Sequence, residues 1–216
     1  MSLSTLPYDS QLNSDNWEKL QLTSSDPCRT DIIDADNPER VLYKVKTNER
    51  DPKPITTYMD ASGNIIATLE WHLRLSDKLS IRGGPKQNVG KWLKSKRSIK
   101  GRSKGSSFTD KDGREYTWRN SEAGSVIYLS ADEGDSSPIA MFIPGKGRFG
   151  DLNKQEGVIL SSESAAALGI RDEIVLSALL LEKARKFSGS QSTFSSEGVA
   201  TAFGIGSLFT GSFTTY

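Results

Sequence analysis

The apolar residues of this chain are most concentrated between residues 172 and 187, in the stretch DEIVLSALLLEKARKF. From Ile174 to Leu181 every residue except Ser177 is apolar, so a helix here is hydrophobic on every face. Such a helix is either buried by protein on all sides or lies in a membrane. Its length is about 24 Å, and its uncharged part is shorter than the roughly 20 residues that cross a bilayer. The pattern therefore predicts a buried helix over 172–187.

The preceding part of the chain, from Leu20 to Leu160, alternates short runs of strand-forming residues with clusters of turn formers. Ile65–Leu73 is a long run of this kind, and Asp110–Gly113 (DKDG) is the clearest hairpin turn. This pattern predicts about eleven or twelve strands, at the spacing expected of a sandwich or barrel. A barrel of that size has an interior that other groups must fill. The sequence therefore predicts a mainly β protein, a closed antiparallel β-barrel of about 12 strands around the hydrophobic helix 172–187.

The two ends of the chain differ in composition from this central part. Residues 1–19 are polar without clear periodicity, which predicts a loosely ordered N-terminal arm. Residues 188–216 are rich in Gly, Ser and Thr, carry scattered aromatic residues and contain one charged residue, Glu197, as is typical of a low-complexity tail. We therefore expect one domain over 20–187, followed by a tail that is either disordered or in contact with a membrane or a partner.

The charged residues are unevenly distributed, although they nearly cancel in total. The net charge is +1, but residues 82–104, here called the basic segment, contain nine Lys or Arg and no acidic residue. Taking +9 from +1 leaves −8 for the rest of the chain. Trp92, Leu93 and Ile99 interrupt the basic residues. The cations of the segment are Arg82, Lys86, Lys91, Lys94, Lys96, Arg97, Lys100, Arg102 and Lys104.

Four interpretations of the basic segment are consistent with its residues, and one of them is a contact with a protein partner. Clusters of Lys and Arg attract anionic lipid headgroups, and a tryptophan such as Trp92 can anchor at headgroup level. The same cations would bind nucleic-acid phosphates non-specifically, but the near-zero net charge of the chain disfavours that partner. In the third interpretation the segment is a solvated connection between strands, with Trp92 and Leu93 facing the interior. Gly145–Gly150 (GKGRFG), with Lys146 and Arg148, is a second candidate contact for headgroups.

Candidate catalytic and metal-binding residues are few. The chain has one histidine, His72, and one cysteine, Cys28, which excludes an intramolecular disulfide and a zinc site of the usual composition. Gly145–Gly150 spells G-x-G-x-x-G, but the residues after it do not predict the helix that a dinucleotide site requires. Gly84–Lys91 departs from the P-loop in spacing, and the turn 110–113 lacks the full ligand set of a calcium loop. We therefore expect a protein that is not an enzyme and uses no cofactor or metal.

Short motifs distributed over residues 20–187 resemble those of a known family. They are Pro27 and Thr30, Leu42–Val45 with Thr47, Thr56 and Thr57, Glu70–His72, Ser107–Thr109, Asp112 and Gly113, Tyr116 and Trp118, and the apolar helix 172–187. In these motifs the chain resembles the fungal DUF6593 family. That family is similar in layout to the tubby-like superfamily, which includes tubby C-terminal domains, plant LURP-one-related proteins and phospholipid scramblases. The resemblance implies a closed barrel around a central hydrophobic C-terminal helix.

The resemblance implies no activity, because the family has no established function. Tubby domains bind phosphoinositides through basic residues, which do not align one by one with this sequence. We expect a non-catalytic binding module that contacts anionic phospholipid headgroups, phosphoinositides among them, through the basic segment. The alternative is a protein–protein interaction or structural module that uses the aromatic tail 188–216. Because no stretch resembles a signal peptide or a membrane span, we expect a cytoplasmic protein, attached to a membrane at most peripherally.

Overall fold

The computed structural model describes residues 17–49, 53–72, 76–97, 103–120, 127–131, 138–145 and 156–187. Residues 1–16 of the predicted arm and the tail 188–216 lie outside the described residues. The strands are β1 (Trp17–Leu22), β2 (Thr30–Asp34), β3 (Val41–Asn48), β4 (Ile55–Asp60), β5 (Ile65–Glu70), β6 (Lys78–Ile81), β7 (Gln87–Asn88), β8 (Lys94–Arg97), β9 (Ser103–Thr109), β10 (Glu115–Asn120), β11 (Ile127–Ala131), β12 (Ala140–Ile143) and β13 (Val158–Ser162). The helices are α1 (Val89–Trp92), α2 (Ala165–Gly169) and α3 (Arg171–Phe187).

The first strand begins at Trp17, inside the stretch 1–19 that the sequence predicted to be an arm. Trp17 lies opposite Ser162 of β13, and Leu20 lies opposite Asp34 of β2, so β1 has a partner strand on each side. Leu20 and Leu22 are buried and the residue between them is exposed. Backbone pairing on both edges and this alternation extend the strand to Trp17, so residues 17–19 belong to the sheet and not to the predicted arm.

All thirteen strands belong to one antiparallel sheet, in the order β7-β6-β5-β4-β3-β2-β1-β13-β12-β11-β10-β9-β8. Strands that are consecutive in sequence are neighbours in the sheet, with one exception: among the described residues, β7 and β8 do not pair with each other. In addition, the first strand, β1, pairs with the last, β13. The prediction of a mainly β, antiparallel protein is confirmed.

The sheet is strongly curved, but it is not the closed barrel that the sequence predicted. Thirteen strands about 4.8 Å apart would place the two edge strands about 58 Å apart in a flat sheet. The chain from Asn88 to Lys94 reaches about 20 Å at most, so the sheet must curl until its edges approach each other. Among the described residues no backbone pairing joins β7 to β8. The physical reason is α1, which occupies this connection and buries Val89 and Trp92, so these residues do not extend either edge strand.

The buried helix predicted over 172–187 is present as α3, which begins one residue earlier, at Arg171. Its apolar side chains share one hydrophobic cluster with side chains from strands of both halves of the sheet. Polar contacts hold both of its ends. Tyr43 Oη donates a hydrogen bond to Asp172 at 3.1 Å, and Lys186 Nζ donates to the backbone oxygen of Ser25 at 2.6 Å. The helix therefore packs against the sheet along its length.

Ser177 is the one polar residue in the apolar middle of α3, and a buried tryptophan explains it. Nε1 of Trp118, in β10, donates a hydrogen bond to Ser177 Oγ at 2.9 Å. The Ser177 hydroxyl in turn donates to the backbone oxygen of Glu173 at 2.6 Å, one turn earlier in the helix. Ser177 and Trp118 are both buried, so the serine satisfies an indole N–H that has lost its hydrogen bond to water.

Replacing Ser177 with alanine should lower the free energy of unfolding by about 1–3 kcal/mol, because Trp118 Nε1 then loses its acceptor. Urea denaturation measures the loss. The control is the same substitution in a Trp118→Phe chain, which has no indole N–H at this position and should lose clearly less stability. Equal losses in the two chains would contradict the role assigned to Ser177.

Candidate functional site

The basic segment 82–104 runs along the open edge of the sheet. It begins in the turn after β6, passes through β7, α1 and β8, and ends at the second residue of β9. Within the described ranges, β8 is an edge strand whose one partner is β9. The cations before β7 are paired with carboxylates, whereas those from α1 onward lie in a stretch without acidic residues.

Arg82, the first predicted headgroup ligand, forms ion pairs within the fold. Its guanidinium lies 2.9 Å from the carboxylate of Asp172 and 3.7 Å from that of Glu173, both in the first turn of α3. The hydrogen bond to Asp172 raises the pKa of Arg82. Arg82 has a φ of 48°, uncommon for a residue with a side chain, and its backbone N–H donates to the oxygen of Ile66 at 2.7 Å. Arg82 therefore fastens the turn after β6 to the start of α3.

An open cavity of about 440 Å³ lies at this same end of α3. Its charged lining consists of Arg40, Arg82, Arg171, Asp60, Asp172 and Glu173. The other two arginines are also paired, because Arg40 lies 3.4 Å from Asp34 and Arg171 contacts Glu18. The charges around the cavity therefore balance, and it does not form a basic site for an anion.

Trp92, predicted from the sequence as a headgroup anchor, lies in the core. Its side chain is 9% exposed and its ring stacks on Phe108 with 5.4 Å between centroids. Phe108 stacks in turn on Tyr116 at 5.5 Å, and Leu93 is also buried. Because such stacking adds to the stability gained by burying apolar area, the ring stays inside. Trp92 and Leu93 both face the interior, so Trp92 is not placed to act as the predicted headgroup anchor.

The remaining cations form the basic hairpin, which we define as residues 91–104. This hairpin contains seven cations and no acidic residue; the cations are Lys91, Lys94, Lys96, Arg97, Lys100, Arg102 and Lys104. Lys91 and Lys94 are exposed, and neither has an ion-pair partner in the part of the chain that the structure describes. Lys96 and Arg97 lie in β8 and Lys104 lies in β9. The predicted contacts outside the described residues are Lys100, Arg102, Lys146 and Arg148.

Strand directions bring the end of β8, the start of β9 and the end of β12 to the same end of the sheet. The backbone oxygen of Gly145, just after β12, accepts a hydrogen bond at 3.1 Å from Arg185, near the end of α3. Each strand from β12 through β11, β10 and β9 to β8 runs opposite to its neighbour. Arg97 at the end of β8 and Ser103 at the start of β9 therefore lie at the C-terminal end of α3, as Gly145 does.

A family model described as "Family of unknown function (DUF6593)" matches residues 25–186. The chain belongs to the DUF6593 family. The match includes every strand from β2 to β13 and all but the last residue of α3, which confirms the DUF6593 part of the resemblance. Among solved structures, the X-ray structure of a protein from Arabidopsis thaliana is 14% identical, with 80% of this chain and 96% of that chain covered and a TM-score of 0.39. A search of the curated proteins finds no match.

The single cysteine and the single histidine of this DUF6593 chain lie in surroundings that the packing and hydrogen bonds of the fold explain. Burial raises the pKa of the Cys28 thiol to about 12, so the thiol stays protonated and is a poor nucleophile. The backbone N–H of His72 donates to Asp77 at 2.9 Å, and its Nε2 lies 3.2 Å from an oxygen of Glu70. Among the described residues, no group of three or more His, Cys, Asp or Glu is placed to hold a metal ion.

The turn 110–113 uses its aspartate to close a hairpin of the DUF6593 fold. Asp110 Oδ1 accepts hydrogen bonds from the backbone N–H groups of Asp112 and Arg114, each at 2.9 Å. Burial alone would raise the pKa of Asp110, but the hydrogen bonds from Arg114 and Asp112 hold it below its usual value. The Asp-x-Asp-Gly pattern is therefore explained by turn geometry.

In the described ranges, every helix is too short or too polar to cross a bilayer.

A second cluster of charges, which no sequence motif indicated, surrounds the carboxylate of Glu70 at the end of β5. Lys86 Nζ lies 2.7 Å from one carboxylate oxygen, while Lys53 Nζ at 3.4 Å and His72 Nε2 at 3.2 Å share the other. Lys78 of β6 lies opposite Glu70 in the strand pairing. We call these five residues the Glu70 cluster. Lys53 precedes β4 and Lys86 precedes β7, so only strand pairing brings them to Glu70, and no local pattern marks the cluster.

Proposed function

We propose that the protein is a non-catalytic binding module whose basic hairpin, residues 91–104, contacts the anionic headgroups of phospholipids. The observation that carries this proposal is the hairpin's seven cations without one acidic residue, of which Lys91 and Lys94 are exposed and unpaired among the described residues. Each basic residue near an anionic membrane contributes about 1 kcal/mol of attraction. Several acting together supply the affinity of a peripheral protein.

The proposed contact is electrostatic. Trp92 is the only aromatic residue of the hairpin and it is buried, so the hairpin has no aromatic anchor to insert among the headgroups. Charge–charge attraction falls off within about 8–10 Å at physiological salt. Binding should therefore require anionic lipid and weaken as salt is added. The net charge of +1 favours a local contact with a membrane surface over long-range attraction to nucleic acid.

The strand directions support one proposed orientation on the membrane. The C-terminal end of α3 faces the headgroups, and Lys146 and Arg148, which follow Gly145 in sequence, are proposed as a second contact. A cytoplasmic leaflet that carries phosphatidylserine or phosphoinositides is the proposed surface. A relationship to the tubby-like superfamily is part of the same proposal, and a curved antiparallel sheet packed on a hydrophobic C-terminal helix supports it.

Vesicle co-sedimentation tests the proposal. Neutral phosphatidylcholine vesicles are compared with vesicles that also contain phosphatidylserine or a phosphoinositide, at low and at physiological salt. We expect binding that needs the anionic lipid and fades with salt. Glutamate in place of Lys94, Lys96, Arg97 and Lys100 should weaken binding at least about 100-fold, because attraction becomes repulsion at four positions. The midpoint of thermal unfolding should not change.

The matched control places glutamate at Lys19, Lys44, Lys46 and Lys111, which gives the same net charge away from the basic hairpin. This control should keep most of the vesicle binding. Unchanged binding by the hairpin variant, or equal loss in the two variants, would contradict a contact through the hairpin. Preferential binding of RNA over anionic vesicles would instead identify nucleic acid as the partner.

The aromatic tail 188–216 is the basis of a second proposed function, interaction with a protein partner. α3 ends at Phe187, so the tail starts at the same end of the molecule as the basic hairpin. A chain that ends at Phe187 should bind anionic vesicles as the full chain does. Loss of vesicle binding on truncation would move the membrane contact from the hairpin to the tail.

A further inference from the structure

The Glu70 cluster adjoins the basic hairpin across the open edge of the sheet. Lys78 in β6 lies opposite Asn88 in β7, and α1 with Lys91 follows Asn88 directly. Lys86 and Lys94 are eight residues apart in sequence, so their backbones are separated by at most about 29 Å. The cluster and the hairpin are therefore close enough to contact one extended anionic surface together.

The cluster carries an excess of positive charge. Its three lysines and one carboxylate leave a charge of +2 when His72 is neutral. Lys78 Nζ donates to the side-chain oxygen of Asn88, a neutral partner, at 2.6 Å. Asp77 does not compensate this charge, because its carboxylate lies 2.7 Å from Lys183 of α3 and accepts the backbone N–H of His72.

Glu70 holds its two lysine partners at the protein surface. Its side chain is 16% exposed, whereas those of Lys53 and Lys86 are 58% and 65% exposed. An ion pair with such exposed lysines stabilises a fold little, so a denser anionic group can replace Glu70 as their partner. Hydrogen bonds from Lys86 and then Lys53 lower the pKa of Glu70 although burial acts in the opposite direction. The carboxylate therefore remains ionised near neutral pH and keeps its hold on the lysines.

We propose that Glu70 is a built-in counter-ion for Lys53 and Lys86, and that these lysines join the headgroup-binding surface when anionic lipid displaces Glu70. The inference rests on the proposed function of the basic hairpin and adds a residue that acts against binding. Headgroups must compete with a carboxylate that is always present, so binding through this part of the surface requires a high density of anionic lipid. Glu70 thus sets a threshold that sparsely charged membranes do not reach.

The test is the substitution Glu70→Gln, which removes the charge and nearly keeps the size of the side chain. Binding to phosphatidylcholine vesicles that contain phosphatidylserine should become about three- to tenfold tighter, and its salt dependence steeper, since Lys53 and Lys86 then meet the headgroups. Glu39→Gln is the matched control, because Glu39 is exposed and its loss changes the net charge equally. Its affinity should stay within about twofold of the unmodified chain.

A double variant tests the same inference from the lysine side. In a chain with Lys53→Met and Lys86→Met, Glu70→Gln should no longer increase the affinity, because no lysine remains to be released. Equal affinities of the Glu70→Gln and Glu39→Gln chains, while charge reversal in the hairpin abolishes binding, would overturn the counter-ion role and leave the proposed function intact. Absence of binding to anionic vesicles by both the unmodified and the Glu70→Gln chain would overturn both. Thermal unfolding of each variant checks that the fold is retained.

Discussion

Alanine in place of Gly105 is expected to lower the free energy of unfolding by about 3–5 kcal/mol, through backbone strain and overpacking together. Gly105 lies in β9 opposite Lys96 and has a φ of 131°, which residues with a side chain rarely adopt. A Cβ there would lie 1.8 Å from the backbone oxygen of Trp118 in the neighbouring strand β10. The oxygen belongs to a paired strand, so relief of the overlap requires β9 and β10 to separate.

Thermal unfolding measures this loss, which corresponds to a fall in the midpoint of roughly 10 °C for a domain of this size. Gly113→Ala is the matched control, because Gly113 also has a positive φ, 83°, but its Cβ would meet nothing within 4 Å. That substitution carries backbone strain alone, about 1 kcal/mol. Similar midpoints for the two variants would show that close approach of the strands at Gly105 is not what requires glycine.

Aspartate in place of Leu179 should remove most of the stability of the protein. Leu179 lies in the middle of α3, is 1% exposed and belongs to the hydrophobic cluster shared with the sheet. An unpaired carboxylate in such surroundings costs several kcal/mol in addition to the lost apolar burial. The sum approaches the roughly 5–15 kcal/mol by which a domain is stable. We expect loss of cooperative unfolding, seen as the absence of a sharp thermal transition.

The control for Leu179→Asp is Leu168→Asp in α2. Leu168 is 58% exposed, so its replacement should change the stability by less than about 1 kcal/mol. If Leu179→Asp does not yield soluble protein, Leu179→Ala measures the same environment with an expected loss of about 2–5 kcal/mol. A sharp transition with an unchanged midpoint for Leu179→Asp would contradict the burial of this face of α3.

In the basic segment, the number of cations along the sequence differs from the number left without an acidic partner in the part of the chain that the structure describes. Along the sequence, residues 82–104 contain nine cations and no acidic residue. In the structure, Arg82 pairs with Asp172 of the helix and Lys86 pairs with Glu70 of a strand. The cations of the segment therefore fall into two groups. Arg82 and Lys86 form ion pairs within the fold, whereas the other seven belong to the basic hairpin, which contains no acidic residue. This division limits the proposed membrane contact to the basic hairpin, and the pairing of Lys86 with Glu70 is the basis of the proposal that Glu70 opposes binding.

The features that the sequence determined by itself are those encoded within a few neighbouring residues. The apolar run over 172–187 is hydrophobic on every face, so any compact fold must enclose it, and α3 begins within one residue of the predicted start. The turn 110–113 contains the aspartate and the glycine that a tight hairpin needs, and β9 and β10 flank it as expected. The many short strand-forming runs predicted an antiparallel, mainly β protein because hairpins pair neighbours in sequence.

The absence of pairing between β7 and β8 among the described residues, the burial of Trp92 and the pairing of individual cations could be seen only in the folded chain. The connection through Trp92 has residue types that suit a strand or a helix; in the structure it forms α1, with Trp92 buried and stacked on Phe108. Lys53, Glu70 and Lys86 come from separate turns and strands, and the register of β4 to β7 brings them together. Local patterns record the preferences of adjacent residues, whereas closure, burial and ion pairing depend on residues far apart in sequence, which meet only when the chain folds.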